Sequence, residues 1–323
     1  MTSTWRGAAV GTAGRASVVL ALLTTQALAF GALYVVGRPT LYVVVALASA
    51  AWLGWRADLG WFGAGAAAFG VVLVLALGMP LVLFFVQLDP ALVVESALSP
   101  AVHRMLYLTV YGPLLAAVVA LVFGVPLAYL LSRGFSGQAL VESLVDLPLV
   151  VPHSVAGILI LFGFGRDGLF PGLEILSTTT GLVLVLTFVS APYAVNSTRE
   201  AFEAIDVRLD YAARSHGASP AESFRRVHVP LAARGILTGG LLAWARAVSE
   251  FGAVAVVAYS VRFFYPVAWR ETVSQLAPVF IYNTYTSAGL AEAGAVSAIL
   301  LLLSGAVFLL VRSIAYEDAG AGS

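Results

Sequence analysis

Eight stretches of this sequence, near residues 16–36, 40–55, 62–87, 104–132, 141–165, 178–197, 231–258 and 290–312, are apolar enough and long enough to cross a bilayer. In hydrocarbon every backbone N–H and C=O needs an internal partner, which only a helix or a closed barrel supplies. Runs of this length far exceed the ~10 residues of a barrel strand, so the expected fold is all-α, a polytopic transmembrane helical bundle. The second stretch is short and interrupted by Trp52 and Trp55, so a count of six or seven crossings stays open. Composition agrees, because 60% hydrophobic against 11% charged residues leaves too little polar surface for a soluble body of 323 residues. The absence of cysteine excludes disulfides, thiolate metal sites and thiol catalysis.

At the N-terminus Arg6 and Arg15 precede an apolar run, and Ala27-Leu28-Ala29 has the small-residue pattern of a signal cleavage site. The run continues to Val36, which suits an uncleaved spanning helix better. With eight spans and both termini cytoplasmic, Arg6, Arg15, Arg56, Arg133, Arg199, Arg208, Arg214, Arg225, Arg226, Arg234 and Arg312 fall inside. Arg38, Arg104, Arg166, Arg262 and Arg270 fall outside, and Arg246 lies within a span. The densest arginine cluster then sits in one cytoplasmic loop, 198–230. The long outer connections are about 88–103 and 259–289; Phe263, Phe264, Tyr265 and Trp269 of the second suit anchoring at the headgroup interface.

The loop 198–230 carries the punctuation of two short helices and a tight corner. Asp206 is the expected N-cap, Asp210 sits near the positive helix end, and Gly217 is the stop. Ser219-Pro220-Ala221-Glu222 restarts the chain as a capping box with proline at N1, and Pro230 is expected to close the second helix. Ala212 and Ala213 would let a partner approach the backbone. Such a basic, capped loop could serve topology alone, but its spacing is more specific. Ala212-Ala213, three residues, Gly217, nine residues, then Val227-His228-Val229-Pro230 resembles the cytoplasmic "EAA" loop of ABC importer permeases.

The resemblance extends over about residues 62–313. Gly124-Val125-Pro126-Leu127-Ala128-Tyr129-Leu130-Leu131 with Arg133, and Leu147-Pro148-Leu149-Val150-Val151-Pro152 with Gly157, look like core spans of that family. Ala245-Arg246-Ala247-Val248-Ser249-Glu250-Phe251-Gly252-Ala253 is similar to the molybdate, tungstate and sulfate branch, as are Ile281-Tyr282-Asn283-Thr284 and Gly289-Leu290. The resemblance implies an oxyanion permease, not itself an enzyme, working as a homodimer. An ATPase pair would dock on Asp210, Tyr211, Ala212, Ala213, Arg214, Gly217, Ala218, Ser219, Pro220, Val227 and Pro230, and an external substrate-binding protein would deliver the anion. ATP and Mg would belong to the ATPase chain: all 17 basic residues here are arginine, and a phosphate-binding loop needs lysine. No cofactor or metal is expected. Three features depart from the family: Tyr211 stands where glutamate is usual, His153 where a second proline is common, and residues 1–60 form an added hairpin before a core at 61–316 and a tail at 317–323.

Within the membrane, Arg246 and Glu250 are spaced i, i+4 in one expected span. Each alone costs about 2.5–3.5 kcal/mol to insert, so they should pair, either as a structural bridge or at a gate. Pro148, Pro152 and Pro192 are expected to break helical hydrogen bonding, with Pro148 and Pro152 as pathway candidates. Gly235 and Gly239 suit close helix packing. His153 is expected to be a hydrogen-bonded core residue. Thr109, Thr187, Ser190 and Asn196 could donate to an oxyanion or bond locally. An ion-coupled carrier would need a carboxylate relay, for which only Glu250 and Asp146 are available. A permease for another solute remains the stronger alternative, since substrate choice in this class rests mainly with the binding protein.

Overall fold

The computed structural model describes residues 12–56, 60–166, 168–170 and 172–317, with 12–23, 307–308 and 310–317 described by backbone alone. Arg6 and the tail after Glu317 lie outside the described residues. The chain divides into two compact units, Met1–Gln87 and Leu88–Ser323.

The first unit holds α1 (Thr12–Val35), α2 (Leu41–Gly54) and α3 (Gly60–Gln87). Helix α1 runs unbroken through Ala27-Leu28-Ala29. Polar groups that lipid would not satisfy meet each other: Tyr42 Oη donates to Gln26 Oε1 at 3.0 Å, and Gln26 Nε2 donates to Ser49 Oγ at 3.2 Å. The sequence places α3 with the core, beyond a hairpin ending at residue 60. In the structure α3 packs on α2, close enough that Gly54 meets the Gly63 backbone and the Ala67 side chain, and the compact unit ends at Gln87.

The second unit is built on α5 (Pro100–Arg133), α8 (Thr179–Glu203) and α12 (Ala233–Val248). Leu108, Leu182, Val185, Leu186 and Val189 are buried in its core, and alanines at 117, 120, 194 and 243 let the helices approach. Gly235 and Gly239 press against Ala201 and Ala194 of α8, as the small-xxx-small spacing predicts, and Ser197 Oγ donates to the Gly235 carbonyl at 3.2 Å. Between lipid-solvated helices there is little hydrophobic gain, so this close packing carries the association.

Two expected spans are broken. Residues 141–165 form α6 (Gln138–Val150) and α7 (His153–Phe164), separated at Val151-Pro152; residues 231–258 form α12 and α13 (Gly252–Val257), separated at Ser249-Glu250-Phe251. Val151 is extended, as the residue before a proline prefers. Pro148 and Pro192, expected to interrupt their spans, lie buried inside α6 and α8 without ending them.

The connections expected on the outer side are more structured than the sequence suggests. Residues 88–103 contain α4 (Pro90–Leu98), whose N-cap Asp89 accepts from Ala91 N–H at 2.9 Å. Residues 259–289 contain an antiparallel hairpin, β1 (Val261–Tyr265) with β2 (Arg270–Ser274), followed by α14 (Ala277–Ser287) and then α15 (Leu290–Glu317). The four aromatics expected at the interface therefore divide. Phe263 is buried and stacks with Tyr107, while Tyr265 meets Tyr107 edge-on; Phe264 and Trp269 remain exposed.

Candidate functional site

The loop after α8 has the caps that its sequence implies. Helix α9 (Val207–Ser215) begins at Asp206, whose carboxylate accepts from Arg208 N–H at 2.8 Å. It ends in a Schellman motif: Ala218 N–H bonds to Ala213 O at 3.1 Å and Gly217 N–H to Arg214 O at 3.0 Å, with Gly217 at φ +89°. The restart, α10 (Pro220–Ser223), carries both arms of the capping box, and hydrogen bonds from Ser219 hold the Glu222 carboxyl below its ordinary range. Pro230 does not close this helix. A π turn at Phe224–His228 and a short α11 (Val229–Leu231) carry the chain on into α12; Val229 N–H bonds to Phe224 O, and the wide turn absorbs the N–H that Pro230 lacks.

What the sequence does not reveal is how the loop is tied to the bundle. Asp210 is buried, with 7% of its surface exposed. It accepts from Ser223 Oγ at 2.5 Å and from Arg133, at the end of α5, at 3.3 Å. Arg133 also donates to His228 Nε2 at 2.6 Å, to Tyr129 Oη at 2.9 Å, and lies over the Tyr129 ring. Since Nε2 accepts, the His228 proton sits on Nδ1, where it donates to Ser223 O at 3.1 Å. Tyr129, Phe202 and Phe224 pack around this network. Ser223 carries no sequence signal, and Arg133 stands 77 residues from Asp210 and 95 from His228.

Outward from that anchor the loop shows a small surface. Tyr211 is 64% exposed beside exposed Ala212 and Arg214, while Ala213, Ala218 and Val227 are half-buried and Gly217, Ser219, Pro220 and Pro230 are exposed. Val207 and Leu209 add exposed apolar area and Arg208, Arg225 and Arg226 add charge. This face offers shape, apolar contact and positive charge to a partner.

The Ser223 hydroxyl bond, together with the Arg133 and Arg214 guanidiniums, holds the Asp210 carboxyl below its ordinary range. A depressed carboxyl pKa stabilises the loop fully above the unfolded value of about 4 and loses that contribution as pH falls through the folded value. Asp210→Asn should loosen the loop at neutral pH by about 1.5–3 kcal/mol, the worth of charged hydrogen bonds. Amide exchange over 207–228 would read this: faster in the variant at pH 7, with the difference vanishing in strong acid.

The second cluster lies where the two broken spans meet. Gly252, at the start of α13, packs against His153 and Ser154 at the start of α7, leaving no room for a side chain. Glu250 is not within a helix with Arg246, as its spacing suggests; it stands in the break and caps α13, accepting from Ala253 N–H at 2.9 Å. Its other oxygen accepts from Arg246 at 2.8 Å and lies 3.2 Å from His153 Nδ1. Arg246 also reaches His153 Nε2 at 2.9 Å. His153 is hydrogen-bonded as expected but is no core residue: its side chain is 48% exposed, against 0% for Glu250. Pro152 is the N-cap of α7 and so sets the break beside this triad, whereas Pro148 is buried one turn earlier.

Of the polar side chains expected as anion donors, three are engaged. Thr109 bonds Met105 O and Ala277 N–H, Thr187 donates to Ala116 O, and Asn196 donates to Asp146 at 2.7 Å. Ser190 is buried with its hydroxyl unpartnered among the described residues. Among the same residues no group of three or more His, Asp or Glu has the arrangement of a metal site.

The family described as binding-protein-dependent transport system inner membrane component matches residues 120–316. The molybdate/tungstate transport system permease protein WtpB of Pyrococcus abyssi is 34% identical over 249 residues, 76% of this chain and 92% of the relative. The probable sulfate transport system permease protein cysT of Helicosporidium is 33% identical over 251 residues, 75% of this chain and 90% of the relative. A crystal structure of a bacterial ABC transporter involved in the import of the acidic polysaccharide alginate shares the fold at TM-score 0.62 and 14% identity, covering 82% of this chain and 98% of its own. With helices apolar enough to cross a membrane, and with that match and those identities, the chain belongs to the binding-protein-dependent transport system inner membrane components, among the oxyanion permeases of ABC importers.

Proposed function

We propose that this chain is the permease of an importer for molybdate or tungstate, moved by ATP hydrolysis on a separate subunit. The observation that carries the reading is the 34% identity to a molybdate/tungstate permease across 92% of its length. A sulfate permease at 33% identity supports sulfate as the second substrate reading.

In this reading two copies of the chain pack together in the cytoplasmic membrane, with both termini cytoplasmic. Each copy presents α9 and the Gly217 corner to one ATPase, and a substrate-binding protein docks on the opposite face. The Asp210–Arg133 contact ties the knob directly to the end of α5, so a push on α9 is delivered to a 34-residue helix, about 50 Å long. The Arg246–Glu250–His153 triad holds together two helix breaks, the kind of element whose rearrangement opens and closes a path.

The test is uptake by proteoliposomes carrying the permease, its ATPase and its binding protein. ATP-dependent accumulation of tungstate and molybdate is expected, with sulfate competing weakly. Uptake driven by an ion gradient without ATP would overturn the reading in favour of a secondary carrier.

A further inference from the structure

At the end of the second unit away from the coupling loop, α5, the hairpin and α14 enclose a cationic cleft. Arg133 binds the loop at one end of α5, and Arg104 stands 29 residues earlier, about 44 Å along the helix. Arg104 lines two adjoining cavities. The first, about 250 Å³, is also lined by Ser260, Ser274, Gln275 and Asn283. The second, about 230 Å³, is also lined by His103, Arg270 and Thr272.

Every polar side chain in this set carries a donor group, although His103 Nε2 already donates to Ala97 O at 2.6 Å, and no carboxylate lines either cavity among the described residues. In the second cavity the strand alternation explains this. Arg270 and Thr272 pair with Tyr265 and Phe263, whose rings pack on Tyr107 of α5; Glu271 pairs with exposed Phe264 on the other face. Arg104 and Arg270 have no ion pair or side-chain hydrogen bond among the described residues. Asn283 accepts from Tyr259 Oη through its oxygen, at 3.4 Å, which leaves its NH₂ free to donate. The cradle is held in place: Thr179 Oγ1 donates to Arg262 O at 3.1 Å, and Thr109 Oγ1 accepts from Ala277 N–H at 2.9 Å. Two unpaired guanidiniums with neutral donors around an open, water-accessible cleft are the recognition chemistry of a tetrahedral dianion.

We propose that this cleft is a transfer site for the oxyanion, in which Arg104 binds the dianion at the outer mouth and Arg270, Gln275 and Asn283 orient it before entry into the membrane path. This rests on the oxyanion reading above and adds a binding site on the permease itself.

Equilibrium dialysis of tungstate against the purified permease–ATPase complex, with no binding protein present, tests it. The wild type is expected to bind saturably. Arg104→Gln should weaken binding by about tenfold or more, Arg104→Lys should keep most of it, and Arg270→Gln should weaken it less. Glu271→Gln, on the opposite strand face, should bind as the wild type does. Absence of saturable binding by the wild type, or Arg104→Gln binding equally well, would overturn the site. So would an Arg104→Gln variant that binds tungstate normally but loses affinity for the liganded binding protein, since the cleft would then be a protein-docking face. If Arg104→Gln binds and imports tungstate normally, only the site fails. If the complete wild-type importer moves no oxyanion, the substrate reading fails with it.

Discussion

Replacing Gly217 with valine is expected to detach the permease from its ATPase while leaving membrane insertion intact. The reason is conformational. Gly217 sits at φ +89°, and a Cβ built there meets nothing within 4 Å, so no clash is involved. A β-branched residue forced into that region costs about 2 kcal/mol, a factor of about thirty in the population of the corner. If the Schellman bonds of Gly217 and Ala218 give way, α9 loses its stop and the surface around Tyr211 loses its fixed angle to the bundle. Asparagine, which tolerates the left-handed region, should be far milder, with alanine between asparagine and valine. That ranking separates a backbone requirement from a contact requirement, because side-chain volume would order alanine before asparagine. Co-purification with the ATPase and ATP-driven uptake should fall together along the series. A valine variant that still co-purifies would show that the corner does not position the docking surface.

The contrast between this loop and its anchor explains what the sequence makes legible. Asp206, Gly217, Ser219 and Glu222 act on backbone groups within a few residues, so their spacing alone implies the structure, and the structure has those caps. The Asp210–Ser223–His228 network is joined to the bundle by Arg133, from a segment far away in sequence, and no local pattern announces it. Hydropathy is blind in a different way to the broken spans. Val151-Pro152 and Ser249-Glu250-Phe251 lie within apolar runs, so a window long enough to find a span averages over the breaks. Proline does not mark them reliably either. Pro152 is the N-cap of α7, ahead of the helical hydrogen bonds, where a missing N–H costs nothing, while Pro192 stays in α8 because neighbouring helices enclose it. The hairpin escapes notice because two five-residue strands are too short for a periodicity test and marginal alone; here Tyr107 supplies the packing partner.

The larger effect is expected at Glu250. Its carboxylate has 0% exposure and satisfies three groups at once: Arg246, His153 and the Ala253 N–H that opens α13. Removing one partner of such a buried pair costs about 3–5 kcal/mol, because the other charge is left stranded. Glu250→Gln keeps the volume but must turn an NH₂ toward either Arg246 or Ala253 N–H, both donors, so the break between α12 and α13 loses its clamp. Uptake in proteoliposomes is expected to fall by about a hundredfold, which corresponds to a loss of only ~2.7 kcal/mol from the conformation the triad holds. Basal ATP hydrolysis should lose its dependence on the binding protein. Arg246→Gln alone should be at least as damaging, since it strands the buried carboxylate. The double variant Arg246→Gln with Glu250→Gln decides between the two roles open to the pair. With both charges gone the desolvation penalty disappears, so thermal stability should recover in a cycle with strong coupling. If uptake recovers with it, the triad is a structural clamp. The position of these residues, at the meeting of two helix breaks with His153 exposed beside them, predicts the other result: a stable protein whose ATPase no longer answers the binding protein. A Glu250→Gln variant with normal uptake and normal stimulation would remove the triad from the transport cycle altogether.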